Sequence, residues 1–269
     1  MEKKKENKKE NKKQIYYART YRRLQIKKTP GMILSFMGIL TAVVMFVWNI
    51  SALTNRLTDL AVRILSGALP AEQITICTGE YSIFGSITYI SLQAADASRR
   101  MIGVNFLVCL ALFLFMLLLR KSGTPLAIFA LFAVLTHMIS CVFFWLAGEY
   151  FPYTLGEYSE LYVKQQIGIW LVFFLLSGLV IVLVGERDYL FKLLMFVAIM
   201  GYSFVFGAVR YIFFLYLLHT GSLLYMALLF FVLGPMFDFS YLVAFYAIFI
   251  NKKTKDYEYG KKRSAWKWS

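Results

Sequence analysis

Apolar residues in this chain gather into six long runs, at about residues 32–50, 101–119, 126–147, 167–184, 190–218 and 223–250. Each approaches or exceeds the roughly twenty residues that a helix rising about 1.5 Å per residue needs to cross a hydrocarbon core. Thr29-Pro30-Gly31 breaks the chain before the first run. The longest polar interval, 51–100, has two halves. In SALTNRLTDLAVRILSGALP, apolar side chains recur at Leu53, Leu57, Leu60, Ala61, Ile64 and Leu65 with Arg56, Asp59 and Arg63 opposite. That spacing predicts an amphipathic helix lying in the membrane interface. After Pro70, ITICTGEYSIFGSITYISL is β-branched and aromatic, broken by Gly79 and Gly85, and predicts a β-hairpin or two short strands. Residues 148–166 read as a polar loop. The expected fold is an all-α polytopic membrane protein of about six transmembrane helices with a small extracytoplasmic hairpin and amphipathic helix.

Composition agrees with this pattern. Of 269 residues, 59% are hydrophobic and only 16% charged, against roughly a quarter charged in a soluble domain. Aromatic residues, at 18%, crowd the ends of the runs as interfacial belts do. The net charge of +14 belongs wholly to the tails. Residues 1–28 carry twelve Lys or Arg against three Glu, and residues 251–269 carry seven against two acids. Charge placed beside apolar spans points to anionic lipid headgroups, not nucleic acid. The short connections Arg120-Lys121 and Glu186 to Lys192 share the basic character, which predicts a multi-pass cell-membrane protein with a basic arm (1–31) and tail (251–269) in the cytoplasm. Arg99 and Arg100 are the exception, beside the outer end of the second span. No small-residue cleavage pattern follows the first span, so it reads as an anchor.

Cys77, Cys109 and Cys141 offer neither a disulfide framework nor metal-ligand spacing, and two His add nothing to them; no metal or cofactor is expected. Ionisable groups at membrane depth are few, and each is a default site hypothesis. His137 lies mid-span with Ser140 and Cys141 one turn beyond, and reads as a hydrogen-bonded interior residue. Arg210 and Asp238 fall in the fifth and sixth spans. Their depths differ by roughly 12 Å at the helical rise, so direct pairing requires a stretched Arg or shifted spans. The paired reading is a structural lock; the other is a proton or substrate relay. No phosphate-cradling loop follows a strand.

The stretch from Gly79 to Phe174 resembles the exosortase/archaeosortase family of membrane transpeptidases. The resemblance rests on GEYSIFGSITYISL as the β segment, Gln93-Ala94-Ala95-Asp96-Ala97-Ser98-Arg99 at the nucleophile motif, His137-Met138-Ile139-Ser140 at the second motif, and Lys164 four residues before Gly168. It implies a nucleophilic Cys where this chain has Ala95, and an Arg where it has Ser140. Lys164 takes the position of a His or Arg, while Arg99 matches. On the expected topology Ala95, Ser140 and Lys164 all reach the outer face.

The resemblance implies a protein of extracytoplasmic sorting or surface assembly. Ala95 has no nucleophilic atom, so transpeptidase activity is not expected. The CTGEYS around Cys77 echoes an archaeal nucleophile motif, but no span opens behind it. Asp96, Arg99, His137, Ser140 and Lys164 then form the candidate pocket, able to bind a C-terminal sorting-signal peptide or an anionic lipid-linked group without cleaving it. The alternative is a small polytopic transport or membrane-complex subunit that relies on Arg210 and Asp238 and on other membrane subunits.

Overall fold

The computed structural model describes residues 22–24, 30–119, 125–183, 189–259 and 266–268. The basic arm before Arg22, Arg120-Lys121 and Glu186-Arg187-Asp188 lie outside the described residues.

Helix α1 (Pro30–Trp48) opens on a proline, whose fixed φ and missing N–H suit a first helical position. It ends where Asn49 Nδ2 donates to Met45 O at 2.7 Å, so a side chain takes over the helix's last carbonyls. There the chain bends by 61° into α2 (Ile50–Leu65). The buried stripe of α2 is Ile50, Thr54, Leu57, Thr58, Ala61 and Leu65. It packs on protein, against a strand and a later helix. The amphipathic helix therefore exists, but its inward face meets the fold and not the acyl chains.

Strands β2 (Thr75–Glu80) and β3 (Ser86–Ser91) form the expected antiparallel hairpin, with Cys77 opposite Tyr89 and Thr78 opposite Thr88. Its turn needs Gly85, at φ +80°, where a side chain would be strained. The outer edge of β3 would expose unpaired backbone groups, a condition native sheets avoid. Here Thr88 N donates to Thr54 Oγ1 (3.4 Å), Thr58 Oγ1 donates to Thr88 O (3.1 Å), and Ile90 N donates to Tyr211 OH (3.0 Å). Two threonines of α2 and one distant tyrosine thus close the sheet.

Helices α3 (Arg99–Leu119) and α4 (Pro125–Ala147) pack as a pair. Helix α5 (Leu155–Leu183) begins twelve residues before the expected span, inside the segment read as a loop. Its start is a capping box: Thr154 N donates to Glu157 Oε2 (2.7 Å) and Glu157 N to Thr154 Oγ1 (3.2 Å). Helix α6 (Tyr189–Gly221) follows. After a 3-10 turn at Leu223–Tyr225, a π segment (Leu228–Leu233) leads into α7 (Gly234–Tyr259). Pro235 has no N–H to return to the preceding turn, and that turn widens. Helix α7 also continues nine residues beyond the expected end of the last span.

Among the described residues five helices, Arg99–Leu118, Ala127–Tyr150, Leu155–Gly178, Leu193–Gly221 and Leu223–Phe245, are long and apolar enough to cross a membrane. The pair Phe36–Trp48 and Ile50–Leu65, bent by 61°, makes six if it is taken as one span. The molecule is an α-helical, polytopic membrane protein with one small hairpin. At the chain ends, β1 (Arg22–Leu24) pairs antiparallel with β4 (Trp266–Trp268). The main core joins α2, β3, α5 and α6, and its largest members on α5 are Tyr158, Tyr162 and Trp170.

Candidate functional site

The segment between the hairpin and α3, residues 92–98, has no regular structure and forms one wall of a cleft of about 1050 Å³. The wall is fixed by a two-way clasp: Ala95 N donates to His219 O (3.0 Å), and His219 Nδ1 lies 2.6 Å from Gln93 O. A carbonyl only accepts, so Nδ1 carries the proton. Opposite stand Trp145, Glu149, Tyr150 and Tyr153 from the end of α4 and the following turn. The start of α5 closes the floor, where a Cβ on Gly156 would come within 2.7 Å of Ser91 Oγ. Ser222 and Leu223, from the α6–α7 turn, complete the lining.

Asp96 and Arg99 both line this cleft, and so does Ala95. Ser98 caps α3 by accepting Met101 N (3.2 Å), so Arg99 and Arg100 occupy its first turn. Cations at the positive end of a helix are unfavourably placed, and an anion beside them relieves that cost. Of the two arginines that depart from the charge rule, Arg99 lines the cleft and brings a positive charge to the end where α3 begins, with Asp96 in the same lining.

The remaining candidates lie elsewhere. Ser140 is buried and its hydroxyl donates back to Thr136 O (3.2 Å). His137 is buried and stacked on Tyr225, with ring centroids 5.0 Å apart. Its Nε2 lies 3.5 Å from Asn105 Oδ1, which also accepts Tyr225 OH at 3.0 Å. The interior reading of His137 fits this setting, although its Nδ1 has no partner. Lys164 pairs with Glu160 at 2.6 Å and lies over the Tyr81 ring. It belongs to the contact between α5 and the hairpin, where Gly79 also approaches Glu160 closely. Burial, then the Glu160 carboxylate, pushes the Tyr89 phenol above its ordinary range. Cys77 faces Tyr89 across the hairpin and is not among the cleft residues. The five positions of the candidate pocket thus divide among three places, and only Asp96 and Arg99 share the cleft.

Arg210 and Asp238 pair directly, Nη1 to Oδ2 at 2.7 Å, with both side chains almost wholly buried. Arg210 Nε donates to Tyr162 OH (2.7 Å), Nη2 to Gln166 Oε1 (2.8 Å), and Nη1 also to Gly234 O (2.8 Å). Asp238 Oδ1 accepts Tyr241 OH (3.0 Å), which lies 2.8 Å from Ser203 Oγ. The roughly 12 Å offset expected of uniform helices does not keep the pair apart. A π segment, with more residues per turn than an α-helix, lies between the α6–α7 turn and Asp238. Tyr162, Gln166 and Tyr241 were not singled out as site residues. The four-residue spacing of Tyr158, Tyr162, Gln166 and Trp170 was the available signal.

No family model, curated protein or solved structure matches the chain.

Proposed function

We propose that this chain is an exosortase-like protein of the cell membrane that takes part in extracytoplasmic sorting or surface assembly by binding, not by transpeptidation. Its ligand is a peptide tail or an anionic lipid-linked group, held in the cleft between residues 91–99 and 144–156. The observation carrying this reading is that Ala95, at the position the resemblance gives to a nucleophile, lines one cleft with Arg99 and Asp96. A methyl side chain leaves acyl transfer without its attacking atom. The arginine and the positive end of α3 suit a carboxylate or phosphate. A segment without regular structure at 92–98 and an aromatic wall suit an extended chain. Ser140 and Lys164 lend no support, being engaged in helix and hairpin packing. The basic arm and tail orient the protein with both ends in the cytoplasm and the cleft outside.

The alternative, a transport or complex subunit, would work through Arg210 and Asp238. Saturation of that pair by Tyr162, Gln166, Gly234 and Tyr241 favours a fixed lock over a relay. The deciding experiment places a photoreactive amino acid at Ala95 in cells. Adducts with an exported polypeptide or a lipid-linked phosphate, lost in Arg99→Ala, are the expected result. Absence of any adduct, or loss of sorting in Cys77→Ala alone, overturns the reading.

A further inference from the structure

Helix α2 offers a second surface, on the opposite side of the helix from its contact with β3. Its exposed arc is graded. Leu60 and Ile64, 41% and 51% exposed, form one edge at a spacing of one turn. Arg56 and Arg63 are exposed along the middle, and Asn55 and Asp59 are exposed on the far edge. An ordinary solvated helix face does not sort apolar, basic and acidic residues into successive strips. An interface that passes from acyl chain through phosphate to water does.

The placement of α2 matches that order. Helix α1 presents Met37, Leu40, Val44 and Met45 outward as a lipid-facing surface and ends at Trp48, 85% exposed, an interfacial residue type. The 61° bend then sends α2 away at a shallow slope. At about 1.5 Å of helix per residue, that slope raises α2 by about 0.7 Å per residue along the α1 axis. With α1 along the bilayer normal and Asn49 at the hydrocarbon boundary, Arg56 lies about 5 Å beyond Asn49, within the polar layer of roughly 5–8 Å that flanks each side of the hydrocarbon. Arg63 lies about 10 Å beyond, within reach of the same layer by a long side chain turned back.

We infer that the exposed face of α2 is a binding surface for phospholipid phosphates of the leaflet on the cleft side. Arg56 and Arg63 hold the phosphates, and Leu60 and Ile64 enter between the lipids. The surface shares no residue with the cleft lining and is independent of what occupies the cleft. It anchors the roof over β3, because the opposite face of the same helix supplies Thr54 and Thr58 to the sheet edge.

The test uses the full chain with Cys77→Ser, reconstituted in phosphatidylcholine nanodiscs with and without phosphatidylglycerol. Spin labels are attached at Leu60→Cys or Asp59→Cys. The Leu60 label is expected to collide preferentially with oxygen and the Asp59 label with a water-soluble nickel complex. In detergent extracts, Arg56→Gln and Arg63→Gln together should lower retained phosphatidylglycerol, each arginine contributing about a fivefold factor in affinity. Equal nickel access at Leu60 and Asp59, or unchanged lipid retention in a double variant of unaltered thermal stability, overturns the inference. Neither result bears on the Ala95 adduct.

Discussion

Arg210 shows most directly what one residue can cost in this fold. Its guanidinium is paired, hydrogen-bonded through all three nitrogens and almost wholly buried. Arg210→Leu would leave Asp238 charged without its partner, at about 3–5 kcal/mol. The folded fraction in detergent should fall sharply. Arg210→Met with Asp238→Leu removes both charges and should recover most of the thermal stability; failure to recover would speak for a role beyond packing. Lys164 differs. Its ion pair with Glu160 is about a quarter exposed, so Lys164→Ala should cost under about 1 kcal/mol and leave binding at the cleft intact. Tyr89 has a pH signature. Its proton is held more tightly in the folded hairpin, so that contribution is complete below the ordinary phenol value of 10.0 and is lost as pH rises through the raised one. Tyr89→Phe should flatten that alkaline limb in a thermal-unfolding series.

At the scale of elements, the β3 edge depends on side chains from two helices. Thr54→Val with Thr58→Val removes the threonine partners of the half-buried Thr88 N–H and C=O, leaving its hydroxyl on Asn55, at about 1 kcal/mol for each bond lost. Amide exchange at Thr88 should accelerate while α3 and α4 stay unchanged. Thr154→Ala removes the cap of α5, at about 1 kcal/mol, and should loosen the cleft floor at Gly156. That cap was legible, because Thr154 and Glu157 stand three apart as a capping box requires. The helix start was missed because hydropathy reports contact with lipid. The first turns of α5 bury Tyr158, Ser159, Tyr162 and Gln166 against protein, where the Ser159 and Tyr162 hydroxyls meet hydrogen-bond partners. The two strands were legible, since β-branched residues and a turn glycine act locally, while their pairing and register came from the structure.

Across the whole molecule, close approaches of helices set the arrangement around the site. A Cβ on Gly178 would come within 2.7 Å of Ile39 Cγ2, and one on Gly207 within 2.8 Å of Gln166. Small residues of this kind let membrane helices meet where lipid supplies no hydrophobic drive between them. Gly178→Leu should separate α1 from α5, read as faster protease access at the bend after Trp48. The cleft depends on the same global order, because its walls come from the β3–α3, α4–α5 and α6–α7 connections.

The sequence by itself determined the apolar runs, the hairpin, the amphipathic period of α2 and the concentration of charge in the tails. All of these follow from transfer free energy and local backbone preference, which act over a few turns. Only the tertiary structure decided that Asp96 and Arg99 share a cleft while Ser140 and Lys164 turn to other partners. It alone brought Arg210 to Asp238, past a π segment that uniform helices do not anticipate. The physical reason is common to both. A charge in a span declares its cost in the sequence, but the group that offsets it is chosen by helix rotation and register.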